Sequence, residues 1–171
     1  MNLPRPLEIQ TMYLRDGGTI PNHPHWPVLL YIGALRDNPK KVERIFNDHD
    51  WRNSWTNGVF SYHHYHSNTH EVLGVVSGSA TLQLGGEQGD SVTLQAGDVV
   101  VLPAGTGHRK VSSSADFQIV GAYPKGIAYN THTSDSADLP QVLEEIRSVP
   151  IPETDPLYGE KGPLLEYWGR I

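Results

Sequence analysis

Apolar and polar positions alternate with a period of two through the middle of the chain. Val59 to His66 alternates, Glu71 to Val76 is a short apolar-rich run, and Ala80-Thr81-Leu82-Gln83-Leu84 alternates before Gly85-Gly86 opens a turn. Ser91 to Gln95 alternates again, Val99-Val100-Val101-Leu102 is apolar throughout, and Phe117 to Tyr123 supplies a further run. Successive side chains of an extended chain point to opposite faces. Alternation therefore predicts strands buried on one face, and an unbroken apolar run predicts a strand buried on both. Runs spaced about 8–12 residues apart with turn signals between them predict an all-β sandwich or barrel.

Glycine and proline mark the same middle zone. Six of the 13 prolines lie at or before Pro39 and four lie between Pro150 and Pro163; Gly58 to Gly121 holds ten of the 17 glycines and only Pro103. Proline removes a ladder donor and glycine permits tight turns, so short strands belong in the middle. The flanks read differently. Asn38-Pro39 ahead of Val42, Ile45 and Phe46 predicts a short capped helix with proline at its first position. Asp138 with Leu139, Val142, Leu143 and Ile146 predicts a second helix, and the proline-rich stretch from Val149 to Gly162 an extended surface segment. Neither flank has apolar surface enough for its own core. Residues 1–171 are thus expected to form one domain, with a barrel core at 50–123, an N-terminal extension 1–49 and a C-terminal helix and tail 124–171.

Composition narrows the chemistry. Over 171 residues, 37% hydrophobic and 19% charged side chains describe a globular chain rather than a disordered or fibrous one. The longest apolar stretch, Pro27 to Leu35, is too short to span a bilayer. Met1-Asn2-Leu3-Pro4-Arg5-Pro6 lacks the basic-then-apolar build of a signal peptide, so the expected location is cytoplasmic, with no membrane partner. The net charge is −6, and the one basic cluster, Lys40, Lys41 and Arg44, is diluted by Glu43; no nucleic-acid partner is expected. The chain has no cysteine, which removes disulfides, thiolate metal sites and a cysteine nucleophile together. Any metal site must be built from nitrogen and oxygen. Nine histidines make one feasible, and their positions matter more than their number.

Five of the nine, His63, His64, His66, His70 and His108, lie in the strand-rich middle. On a strand, His64 and His66 point together with Phe60 and Tyr62, while His63 and Tyr65 point away. A turn at Ser67-Asn68-Thr69 brings the chain back with Glu71 at the start of the next strand. Gly97-Asp98 then leads into the run Val99 to Leu102, Pro103, Gly105 and Gly107 shape a tight bend, and His108 follows on another strand. Three imidazoles and one carboxylate inside a small barrel suit Fe, Mn, Co, Ni, Cu or Zn, with one to three coordination positions left open.

Two glycine-framed motifs carry a family resemblance. Gly58-x5-His64-x-His66-x4-Glu71-x6-Gly78 resembles the first motif of the cupins, and Gly97-x5-Pro103-x-Gly105-x2-His108 resembles the second. The second motif usually closes on Asn where this chain has Ser112, a structural position rather than a ligand. Further out, Gly18-Thr19-Ile20-Pro21-Asn22-His23-Pro24, Trp55-Thr56-Asn57-Gly58, Tyr62-His63-His64-Tyr65-His66, Gly121-Ala122-Tyr123-Pro124 and Asp155-Pro156-Leu157-Tyr158-Gly159 resemble the YjlB-type bacterial cupins. The resemblance implies an all-β cupin jelly-roll β-barrel (a double-stranded β-helix) with short flanking helices. It also implies a metal inside the barrel and a homodimer.

Each residue also has a plainer reading. One histidine alone would be a hydrogen-bonded core residue, but four ligand types at these spacings favour one divalent transition metal per chain, held by His64, His66, Glu71 and His108. His63 and His70 point away from the barrel interior by parity, which suits a surface or dimer contact. His70-Glu71 opens a zinc-protease motif, but the second histidine it needs would be at Gly74. Tyr62, on the face of His64, is the candidate proton-handling group, weighed against an aromatic filling the barrel. Asp98 is expected to form a turn. The function expected is a metal-dependent enzyme, dioxygenase or isomerase, acting on a small polar molecule in the barrel. The alternative is a non-catalytic small-ligand-binding or metal-sensing module using the same pocket.

Overall fold

A computed structural model describes residues 8–134 and 139–169. Two antiparallel sheets stack as a jelly-roll sandwich. The larger contains, in spatial order, β1 (Glu8–Met12), β2 (Val28–Ile32), β8 (Val99–Leu102), β5 (Glu71–Ser77), β10 (Gln118–Pro124) and β3 (Trp51–Asn57). The smaller contains β11 (His132–Thr133), β4 (His64–Tyr65), β9 (His108–Ser113), β6 (Ser79–Leu84) and β7 (Asp90–Gln95). Three helices flank them: α1 (Val42–Asp48), entered through a 3-10 turn at Pro39–Lys41, α2 (Leu139–Ser148) and α3 (Pro163–Gly169).

The apolar pattern explains which sheet sits where. Leu73, Val75, Val100, Leu102 and Ile119 of the larger sheet meet Ala80, Leu82 and Leu84 of β6 in the barrel interior. Val72, Val99, Val101, Val120 and Ala122, on the opposite face of that sheet, pack on Val42 and Phe46 of α1 and on Leu164 and Trp168 of α3. The larger sheet is therefore covered on both sides, which is why β2 and β8 are continuous apolar runs. β6 faces the core on one side only and alternates between buried and half-buried positions. Gly74 shows how closely α1 approaches: a Cβ there would stand 2.3 Å from Val42 Cγ2 and 2.9 Å from the Phe46 ring. Any larger residue would push the helix off the sheet.

The middle strands agree with the alternation, and the differences lie elsewhere. Residues 59–63 are irregular, although the Phe60 carbonyl accepts from the Lys110 N–H, and of the expected strand the regular part is His64–Tyr65. The N-terminal segment does more than wrap the barrel, since β1 and β2 join the larger sheet. Asn38 makes no side-chain cap, although Pro39 does open the 3-10 turn that leads into α1. The proline-rich C-terminal segment is not a surface strap, for Asp155 and Leu157 are fully buried and α3 follows. Asp98 forms its turn, accepting from the Gly33 and Gln95 N–H groups at 2.7 and 2.9 Å. The readings of Met1 to Pro6 and of Asp138 fall outside the described residues. No described helix is long and apolar enough to cross a membrane.

Candidate metal centre

His64 and His108 are register partners across β4 and β9, with ring centroids 4.0 Å apart. His66 follows β4, its ring 6.0 Å from His64 and 5.6 Å from His108. Glu71 opens β5 opposite Leu102. The two sheets thus deliver their polar residues to one interior point. One nitrogen from each of the three rings lies within 4.8 Å of the others, and all three residues are buried.

Backbone carbonyls select those nitrogens. The Nδ1 atoms of His64, His66 and His108 lie 3.1, 2.5 and 3.0 Å from the carbonyl oxygens of Tyr62, Asn130 and Thr106. A carbonyl only accepts, so each Nδ1 carries its ring's hydrogen and each Nε2 of a neutral ring offers a lone pair. Glu71 Oε1 sits 3.4 Å from His66 Nε2 and 3.1 Å from His108 Nε2. It is a buried oxygen with no hydrogen-bond partner. Its twin is fixed: the Tyr123 hydroxyl donates to Oε2 at 2.6 Å, and the Trp55 indole N–H donates to that hydroxyl at 2.8 Å. Gly121 makes this relay possible, because a Cβ there would fall 2.3 Å from the Trp55 ring.

The charges fit a cation. Burial, helped by neighbouring His108, lowers the His64 pKa to about 3, so that ring is neutral near pH 7. Burial works to raise the Glu71 pKa, but His66 and His108 outweigh it and hold the carboxyl below its usual range. Burial also works to lower His66, and there the Glu71 carboxylate and the Asn130 carbonyl prevail and raise it. One nitrogen from each of the three buried imidazoles converges there, and Glu71 Oε1 lies 3.1 and 3.4 Å from two of the rings. This donor set is hard-to-borderline, matched to a divalent transition metal.

A cavity of about 240 Å³ opens from this point, lined by the three histidines and Glu71 together with Trp55, Phe60, Tyr123 and Tyr129 among others. Tyr62 is half-exposed. Its ring stacks on Phe60 and lies edge-on to His64 at 5.9 Å, and its backbone carbonyl is the atom that holds the His64 ring. His70 points away from the interior, as its parity requires, yet it is buried rather than on the surface. Its Nε2 lies 2.9 Å from the Pro150 carbonyl, its Nδ1 accepts from the Ala104 N–H, and Trp168 of α3 covers it. His63 faces Glu87 at 3.0 Å. Sequence reasoning missed Trp55, Tyr123 and Asn130. Parity could have found Tyr123, which shares the inner face of β10 with Ile119.

A jelly roll that gathers three buried imidazoles at one interior point has the architecture of a cupin with a site able to hold a metal. The chain belongs to the cupin family. A cupin-domain profile matches residues 55–118. The Bacillus subtilis (strain 168) protein YjlB, described as uncharacterized, is 47% identical over 161 residues, covering 94% of this chain and 97% of that one. Among solved structures, the acireductone dioxygenase of Bacillus anthracis, with a cadmium ion in its active centre, is 19% identical with a TM-score of 0.37. That match covers 52% of this chain and 59% of the dioxygenase. The WlaRB TDP-quinovose 3,4-ketoisomerase of Campylobacter jejuni is 15% identical with a TM-score of 0.41, covering 54% of this chain and 75% of that one.

Proposed function

We propose that the protein is a metal-dependent enzyme of dioxygenase or isomerase type acting on a small polar molecule in the barrel. One divalent transition metal per chain (Fe, Mn, Ni, Co, Cu or Zn) is held by His64, His66, Glu71 and His108. The observation that carries this reading is Glu71 Oε1, a buried carboxylate oxygen with no hydrogen-bond partner and two imidazole Nε2 atoms 3.1 and 3.4 Å away. A bare buried carboxylate oxygen is costly, and a cation removes that cost. When bound, the metal supplies Lewis acidity or a redox couple. The chain's own part is orientation. The carbonyls of Tyr62, Asn130 and Thr106 stop the three rings from turning, and Tyr123 with Trp55 presents one oxygen of Glu71 rather than two. Tyr62, beside His64, passes a proton at the mouth in this reading. A homodimer, a single domain over residues 1–171 and a cytoplasmic location complete the proposal; sedimentation analysis checks the first.

Elemental analysis of protein purified without a metal-affinity tag should find about one metal per chain. His66→Ala and His108→Ala should each abolish it, and unchanged metal content in both would refute the assignment. The rival reading, a non-catalytic binder, draws support from the cavity wall. Its titratable groups other than the Tyr129 phenol are already engaged with carbonyls or with one another. Oxygen uptake by Fe(II)-loaded protein against small phenols, thiols and keto acids separates the two readings.

A further inference from the structure

Two large aromatic side chains that are partly in water line the cavity, and a third packs on one of them. Phe60 is 54% exposed and Tyr129 41%, and both line the cavity, while Tyr62, 49% exposed, stacks on Phe60. They form two stacked pairs with neighbours. Phe60 lies on Tyr62 with centroids 4.9 Å apart and planes 13° from parallel, and Tyr129 lies on Tyr123 at 4.4 Å and 23°. Each pair abuts a different imidazole: Phe60 meets the His64 ring edge-on at 5.1 Å, and Tyr129 meets His66 edge-on at 5.1 Å. Exposed apolar surface concentrated around a cavity marks a binding site.

The rest of the wall fixes the polarity of the guest. Thr56, Asn57 and Thr131 are neutral, Val59 and Leu73 are apolar, and no Lys or Arg stands among the lining residues. Glu71 is the one carboxylate, and its two oxygens are turned to Tyr123 and to the histidines. A guest with several negative charges would find no side-chain cation, although burying such charges demands one. A volume of about 240 Å³ is below the range of about 300–1,000 Å³ typical of sites for drug-sized ligands.

We propose that this cavity takes a small, flat, uncharged ring compound carrying a hydroxyl or carbonyl oxygen, its ring held by the Phe60 and Tyr129 pairs. The proposal rests on the metal-dependent reading for the oxygen end alone; the ring end rests on the aromatic wall. Rings stack offset or edge-on against rings, and a puckered saturated ring loses that contact.

Three probes of comparable size test it on the protein as purified: 2-naphthol, decahydro-2-naphthol and phenyl phosphate, each titrated by calorimetry, with metal content measured on the same sample. 2-Naphthol should bind about tenfold more tightly than either of the others, a ratio within reach of one or two ring contacts. Phe60→Leu and Tyr129→Leu should each weaken 2-naphthol about three- to tenfold while metal content and melting temperature hold, since both side chains are partly in water and leucine keeps their apolar contact with the wall. Equal or tighter binding of either competitor, absence of 2-naphthol binding, or indifference to both variants would overturn the proposal. If 2-naphthol keeps its preference and its dependence on Phe60 and Tyr129 in protein that carries no metal, the ring site stands and the metal reading falls. A stoichiometric metal with no ring preference means the opposite: the metal reading stands and the ring site falls.

Discussion

Two of the carboxylates buried among the described residues, Asp155 and Glu71, are treated oppositely. Asp155 is fully buried, and both its oxygens are used. Oδ2 accepts from the Tyr31 hydroxyl at 2.6 Å and the Leu164 N–H at 3.0 Å; Oδ1 accepts from the Leu157 and Tyr158 N–H groups at 2.8 and 3.1 Å. Glu71 is 2% exposed, yet only Oε2 has a hydrogen-bond donor, while Oε1 looks across at the Nε2 atoms of His66 and His108. A buried charge is tolerated when the fold saturates it. Asp155 is saturated by the fold and ties the C-terminal segment to β2. Glu71 is half saturated, which leaves a place for something the chain does not provide.

Removing each carboxylate should therefore produce opposite phenotypes. Asp155→Ala strands a phenol and three backbone N–H groups in the core. It should cost about 3–5 kcal/mol, lowering the melting temperature by roughly 10 °C, and leave the metal content of the remaining folded protein unchanged. Glu71→Gln should do the reverse. Its amide oxygen can still accept from Tyr123 and its NH₂ can donate to an imidazole Nε2, so metal-free protein should stay within about 1 kcal/mol of the parent, while bound metal is lost. Thermal melts and elemental analysis on both variants check the contrast. If Glu71→Gln unfolds as readily as Asp155→Ala, Glu71 is a structural residue and the comparison collapses.

Tyr123→Phe sharpens the comparison with a smaller step. It frees Glu71 Oε2 and leaves the Trp55 N–H without its acceptor at 2.8 Å, while the four proposed ligand side chains remain. Losing such an orienting partner typically weakens a metal site about 10–100-fold. Competition titration against a chelator of known affinity measures it. An unchanged affinity would show that the carboxylate needs no orientation from Tyr123.

Much of this is legible in the chain. Alternation marks β6 and β7, an unbroken apolar run marks β8, and the two glycine-framed motifs bring His64, His66 and His108 together, with Glu71 3.1 and 3.4 Å from two of the rings. β3 escapes the pattern, because Arg52, Asn53, Thr56 and Asn57 face solvent and its sequence has no apolar alternation. Asp155 is hidden for a different reason. Its main partner, Tyr31, lies 124 residues away, and nothing periodic links the two. The Tyr123 to Glu71 contact spans 52 residues and Trp55 to Tyr123 spans 68. Local pattern places a side chain on a face; only the assembled sheet says which other side chain it meets there.

The same contrast extends to the imidazoles, with the smallest effect. His64, His66 and His108 give their hydrogens to carbonyls and keep Nε2 for the interior, whereas His23 turns an acceptor on its own backbone. Its Nδ1 accepts from the His25 and Trp26 N–H groups at 3.1 and 2.9 Å, and its ring stacks on Trp26 at 4.6 Å. Burial, reinforced by His70, lowers its pKa from 6.5 to about 3. Between those values the unfolded chain binds a proton that the folded chain refuses. The stability that depends on neutral His23 is therefore whole above about pH 6.5 and declines as the pH falls, by at most about 1.4 kcal/mol per unit. Asn accepts from the same two N–H groups and does not titrate. His23→Asn should cost no more than about 1.5 kcal/mol at pH 8, through the lost stack, and should flatten the decline in stability between pH 6.5 and about 5. Urea midpoints of both proteins across that range read the difference directly. Parallel declines would mean that His23 accepts a proton without leaving its place, and that this ring, unlike Asp155, is not held by what it accepts.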